Sequence, residues 1–267
     1  MGTQGVSTLA SKAPEARNQH RLHARLANGA PIEAVSISRR RNPSIRHLVR
    51  PWGTMPSPPA FDEGFRQRLR TLLIWRRDVR RFRRDPLPPG AVERLIELAA
   101  LAPSVGLSQP WRFVVVDDAV CRGAVRRNFA AANAAALAAQ APERVAQYAQ
   151  LKLSGLDEAP CHLAVFADRA TAQGHGLGRH TMPEMIDYST VAAVHTLWLA
   201  ARAEGIGMGW LSILDPREIT AILDVPAEWK LIGYFCLGYP IEEDDVPLLE
   251  TAGWEEQRAA PSFLIHR

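Results

Sequence analysis

Residues 76–85, "RRDVRRFRRD", carry six arginines and two aspartates. Guanidinium groups offer planar, paired donors that match phosphate oxygens, so a cluster of them suits either a polyanion or one terminal phosphate. A nucleic-acid patch would rest on backbone phosphate contacts and on interleaved aromatics that stack on bases. Only Phe82 is interleaved here, and Trp75 adjoins the preceding apolar helix. Asp78, set among the arginines, would repel a polymeric anion. The pattern therefore favours Arg76, Arg77 and Arg80 as a grip for one phosphate of a small molecule, with Arg81, Arg83 and Arg84 as solvated neighbours. Asp78 is the odd charge inside that grip. Flanking arginines favour its ionised form and exclusion of water favours the neutral one, and the stronger effect sets its state.

A second unusual feature is the spacing of Gly205, Gly207 and Gly209 in "GIGMGW". It follows a helix and enters a strand, the reverse of a dinucleotide-binding turn, while "GHGLGR" has Arg179 where the third glycine belongs. Glycine weakens a strand unless something approaches its backbone closely, and a flat ring lying on the strand would supply that reason. Ser212 follows in "GWLSI" without a nucleophile-elbow pattern; it reads equally as a residue beside that surface or as an ordinary half-buried serine. His175, His180 and His195 lack the three or four convergent ligands of a metal site, so no metal is expected. His195, among Val191, Val194 and Trp198, reads as a core histidine.

These residues need elements to hold them. Phe65, Leu69, Leu72 and Leu73 have helical spacing, so the arginine cluster begins where a helix ends. "PLPPGAVERLIELAALAPS" predicts a second helix, "WRFVVVDD" a strand, and residues 119–151 one or two helices broken near Pro142. "HLAVFAD" predicts another strand. "QGHGLGRHTMPEM" is a glycine-rich loop, and "IDYSTVAAVHTLWLAARAEG" is a long apolar helix for the core or a subunit interface, ended by Gly205. "GMGWLSIL" is a strand, Asp215 and Pro216 open a helix, and "WKLIGYFCLGYP" is the last strand. Helices outnumber and separate the strands, which gives an α+β fold.

The formal charge of +4 is unevenly spread. Residues 1–55 hold nine Lys/Arg against two Asp/Glu, a net of +7, and the remaining 212 residues hold 23 against 26, a net of −3. The basicity thus belongs to the N-terminal segment, whose lack of apolar periodicity and Pro-rich end predict disorder over residues 1–58 and a folded domain over 59–267. No apolar run has the roughly 18 residues of a membrane span, and no secretory signal is evident, so cytoplasmic residence is expected. The three cysteines are too few and too scattered for a disulfide framework or a zinc site.

The segments "RRDVRRF", "APSVGLSQPWRFV", "YAQLKLSGLDEAP", "QGHGLGRHTMPEM", "YSTVAAVHTLWLAARAEGIGMGWLSILDP" and "LGYP" resemble, in this order, the 5,6-dimethylbenzimidazole synthases. These are a branch of the flavin-dependent nitroreductase superfamily. The aspartate of "RRDVR" and the serine of "GWLSI" are the features most specific to that branch. The resemblance implies a homodimer of α+β, nitroreductase-like subunits, with helices around a central mixed sheet and two interfacial sites for reduced FMN. It places Arg76, Arg77, Asp78, Val79 and Arg80 at the flavin, the arginines on its phosphate. Ser104, Ser108 and Gln109 would come from the partner subunit, and Gly209, Leu211 and Ser212 would run past the ring, Gly207 and Gly209 making room for it. Lys152, Leu153 and Met182 would close over the site. The implied reaction consumes the flavin with O2 to give 5,6-dimethylbenzimidazole, erythrose 4-phosphate and a pyrimidine fragment, with Asp78 as base and Ser212 assisting. A separate flavin reductase would supply the reduced flavin, with no nucleic acid or membrane involved. The alternatives are an NAD(P)H-dependent FMN nitroreductase or flavin reductase, and a non-catalytic flavin-binding protein.

Overall fold

The computed structural model describes residues 58–267. The segment expected to be disordered, residues 1–58, lies outside the described residues except for its last position, and the compact unit runs from Ala60 to Arg267. α1 (Glu63–Trp75) opens at Asp62, whose carboxylate accepts the Phe65 N–H at 2.6 Å. It buries none of its residues: Phe65, Leu69 and Leu73 stay exposed. α2 (Ala91–Ala99) buries Ala91, Leu95 and Ala99. β1 (Trp111–Val115) leads to α3 (Ala119–Ala138) and α4 (Pro142–Gln150), which break apart at Pro142 as the sequence predicts. β2 (Cys161–Asp168) precedes α5 (Met185–Ala203), and Gly205, at φ 73°, ends that helix in the left-handed region. β3 (Gly207–Leu211) leads to α6 (Pro216–Ile222), capped by the Asp215 carboxylate on the N–H groups of Arg217 and Glu218. β4 (Trp229–Gly238) and a short α7 (Leu248–Thr251) follow.

The strands are ordered β1-β2-β4-β3, and every pair is antiparallel. The mixed sheet expected from the resemblance is thus corrected: the only parallel element among the described residues is a single bridge between Asp78 and Met208 of β3. Alternation along the central strands explains the two cores. Leu163 and Val165 of β2, with Phe235 and Leu237 of β4, pack under α2 and α5 against Leu95, Val194 and Leu197. Ala164 and Phe166, with Tyr234 and Cys236, face α3 and α6 against Val125 and Ile219. The two buried central strands make a rigid floor, and β3 forms one edge of it. That edge receives the arginine-rich segment.

Candidate active site

After α1 the chain extends along β3. The Val79 N–H donates to the Met208 carbonyl at 3.0 Å, and Arg83 and Ile241 continue the pairing through Tyr239 and Arg81. This explains the glycines of β3. A Cβ on Gly209 would stand 2.2 Å from the Val79 carbonyl oxygen, and one on Gly207 would stand 2.8 Å from a Val79 methyl. The expectation that a flavin ring accounts for Gly207 and Gly209 is therefore corrected. They make room for the chain's own Arg77–Val79 segment, which lies close enough to bring Asp78 onto the strand edge.

Asp78 is fixed by two opposed partners. Its Oδ1 accepts the Trp210 N–H at 2.9 Å, and its Oδ2 meets Arg80 Nη2 at 2.5 Å. Burial against the sheet raises its pKa above the ordinary carboxylate value, and this outweighs the Arg80 charge, the Trp210 N–H and the more distant Arg76. The side chain still keeps 39% of its accessible surface, because it faces an open cavity rather than packed atoms. A carboxylate of raised basicity, rigidly held and reachable, is suited to taking a proton from a bound molecule.

The cavity, about 450 Å3, is lined by Arg77, Asp78, Val79, Arg80, Lys152 and Arg202 among others, and closed on one side by residues 240–251. Its size falls in the range of small-molecule sites, and its five cationic side chains stand against four carboxylates, Asp78, Glu242, Glu243 and Asp244, so a phosphate-bearing ligand such as FMN would meet arginine and lysine donors within a mixed lining. Arg77 turns to the strap, where its guanidinium donates to the Asp245 carbonyl, and Arg202 grips Glu243 through two bonds of 2.6 and 3.0 Å. Lys152 pairs with Glu158 at 3.1 Å, and the Leu153 carbonyl accepts from Arg80. Arg76 takes a different place: its guanidinium lies over the Trp198 ring, 4.8 Å from the centroid, and burial and the neighbouring Arg77 lower its pKa. Leu211 sends its side chain into the core. Ser212 lies just beyond the end of β3 and is exposed, rather than half-buried in the strand.

The other predicted residues gather elsewhere. Ser104 accepts the Gln109 N–H at 3.1 Å, and Ser108 is buried with its hydroxyl unpartnered among the described residues. This turn packs on the glycine-rich loop: Gln173 donates to the Leu107 carbonyl and to Gln109, and the Val105 N–H donates to Ser189 of α5. Met182 belongs to the same loop and is exposed. Leu107 and Gln109 hold positive φ angles of 56° and 42°, conformations that cost energy outside glycine. Ser189 at this end and Trp198 beside Arg76 are nine residues apart, so about 14 Å of helix separates the two clusters. His175 and His180 border a separate hollow with Arg169, Arg179 and Glu184. His195, expected in the core, is exposed on α5; the fully buried histidine is His162, whose Nδ1 lies 2.9 Å from the Tyr234 hydroxyl.

Sequence reasoning missed Trp210 and the strap. A backbone N–H is available from any residue type and leaves no trace in the sequence. The "IEEDD" run of the strap looks like a solvated charged face, although Arg77 and Arg202 both anchor to it.

This fold and site define a class. The chain belongs to the nitroreductase family, which it matches over residues 73–239. Within it, the chain is 58% identical over 207 residues to a 5,6-dimethylbenzimidazole synthase of Rhodospirillum rubrum, covering 78% of this chain and 98% of the relative. It is 48% identical to the enzyme of that name in Rhodobacter capsulatus, over 73% of this chain and 95% of the relative. Among solved structures, an iodotyrosine deiodinase bound to FMN and 3-iodo-L-tyrosine superposes with a TM-score of 0.56 at 26% identity, over 66% of this chain and 91% of that one.

Proposed function

We propose that the protein is an oxygen-dependent enzyme that fragments reduced FMN to 5,6-dimethylbenzimidazole and erythrose 4-phosphate. The observation that carries this reading is Asp78, held by the Trp210 N–H and Arg80 at the wall of the cavity, in a chain whose close relatives are synthases of that base. The bound flavin supplies the electrons for O2 and the carbon skeleton of the product. The protein's part is to bind, orient and move protons. Arg77, with Lys152 and Arg202 nearby, offers charge to the phosphate end. Asp78 is assigned the proton at C1′ of the ribityl chain, whose loss accompanies cleavage of the C1′–C2′ bond that releases erythrose 4-phosphate and leaves C1′ for the new ring. Ser212, exposed at the end of β3, is assigned a supporting hydroxyl, and Met182 and Leu153 a covering role.

The separation of the two clusters along α5 supports a homodimer, in which Ser104, Ser108 and Gln109 of one subunit complete the Asp78 cavity of the other. The exposed apolar residues of α1 and Tyr188 and Val191 of α5 offer the surface for that contact. Among the described residues no helix is long and apolar enough to cross a membrane. Free thiols at Cys121, Cys161 and Cys236 suit a reducing cytoplasm. A separate reductase is assigned the supply of reduced flavin.

The test is anaerobic mixing of the protein with reduced FMN, followed by admission of air and mass detection of products. The expected result is 5,6-dimethylbenzimidazole in step with flavin loss. Quantitative recovery of oxidised FMN, or rapid NADPH oxidation by the isolated protein, would replace this reading with that of an ordinary flavin reductase.

A further inference from the structure

We propose that Arg80 is the positioning residue of Asp78 and takes no part in gripping the flavin phosphate. The inference rests on the reading of Asp78 as the base, and it reassigns an arginine that the motif alone would give to the phosphate. A guanidinium grips phosphate through one of two forks, Nη1 with Nη2 or Nε with Nη2. Both forks need a hydrogen of Nη2. In Arg80 that atom donates to the Trp210 carbonyl at 2.7 Å and stands in ion-pair contact with Asp78 Oδ2 at 2.5 Å, so a phosphate oxygen could use either fork only by displacing one of these two partners. Nη1 donates to the Leu153 carbonyl at 3.0 Å, and only 12% of the side chain is accessible.

These bonds form one brace. Trp210 gives its N–H to one oxygen of Asp78, and its carbonyl holds the arginine that grips the other oxygen. The carboxylate is thereby locked to β3 in both position and rotation. The Leu153 bond ties the same arginine to the segment carrying Lys152, which also lines the cavity. Among the described residues, Arg80 alone forms an ion pair with Asp78. Arg76 acts on it from farther along the same segment. Lys152 after α4, Arg202 on α5, and Glu242, Glu243 and Asp244 of the strap share the cavity without an ion pair to the carboxylate.

The experiment compares FMN with riboflavin, which lacks the phosphate. Binding of each to wild type, Arg80→Lys and Arg80→Met is followed by quenching of flavin fluorescence, and product formation is followed in single turnovers across pH. Arg80→Met is expected to change the two affinities by the same factor and to slow product formation by about 100-fold at saturating flavin. Its acid limb should move to higher pH, because Asp78 loses its cationic partner. Arg80→Lys should restore the position of that limb but only part of the rate, since one ammonium cannot hold both carbonyls and the carboxylate. An FMN-selective loss of about tenfold or more, with riboflavin unchanged and the rate recovered at saturation, would make Arg80 a phosphate ligand and overturn the proposal. If Arg80→Met does not fold, the FMN and riboflavin affinities of Arg80→Lys separate the two roles by the same criterion. Absence of product from wild type would defeat the functional reading alone, because the flavin comparison judges Arg80 without turnover.

Discussion

At the level of single residues, burial pushes Asp78 and His162 toward their neutral forms, with different consequences. For Asp78 the consequence is kinetic. Its pKa is raised by burial above the ordinary 3.8, and only the ionised carboxylate can accept a proton, so the rate should fall as pH drops through that raised value. Asp78→Asn should bind flavin within about threefold of wild type, lose product formation by about 100-fold or more, and lose the acid limb. A fully active Asp78→Asn would remove the residue from the mechanism. For His162 the consequence is stability. Burial, with Arg122 and Arg126 nearby, lowers its pKa from 6.5 to about 4 in the folded state. The unfolded chain therefore binds a proton first. The stabilising contribution is complete above pH 6.5 and is lost as pH falls toward 4, an effect of up to about 3 kcal/mol. Urea midpoints measured from pH 7 to 4 should show this slope in wild type and a flatter one in His162→Gln; equal slopes would locate the acid sensitivity elsewhere.

At the level of elements, the edge of β3 matters most. Gly209→Ala would place a methyl 2.2 Å from the Val79 carbonyl, so the Arg77–Val79 segment must move off the strand. The expected cost is about 1–3 kcal/mol, and the activity loss should exceed what the lower stability explains, because Asp78 moves with the segment. Gly205→Ala is the contrast: its Cβ meets nothing within 4 Å, so only the φ of +73° penalises it, by about 1 kcal/mol, and activity should persist. Urea midpoints with product rates separate the two cases, and a Gly209→Ala enzyme of normal rate would show that the pairing is slack. These glycines also mark what could be read from sequence. Their spacing announced a close approach, but a neighbouring chain and a bound ring ask the same thing of a strand, and only the fold tells them apart. Asp78 was legible because a carboxylate among arginines is chemically odd. The Pro142 break, the Asp215 cap and the Gly205 stop were legible because each is a local rule. His195 was misplaced because α5, though apolar nearly all round, turns one stripe outward, and helical periodicity cannot say which stripe.

At the level of the whole molecule, the predicted site residues fall into two groups that one subunit does not unite. Asp78, Arg77 and Lys152 line one cavity, while Ser104, Ser108 and Gln109 sit with the glycine-rich loop near the other end of α5. Asp78 is braced on a strand edge, and Gln109 is held at a positive φ of 42°. A two-fold dimer that brings the start of α5 in one copy to the cavity of the other would unite them twice. The prediction is complementation between two dead variants. Asp78→Asn lacks the base, and Gln109→Trp blocks the second cluster, so neither should turn over alone. Coexpressed in equal amounts, random pairing makes half of the dimers mixed. In each mixed dimer one site takes both lesions and the other takes none, so activity should return to about a quarter of the wild-type level. The measurement is 5,6-dimethylbenzimidazole formed per flavin-binding site in the purified mixture. If each cavity is complete within its own subunit, every site in the mixture carries a lesion and no activity returns, which would exclude a contribution of residues 104–109 to the partner's cavity.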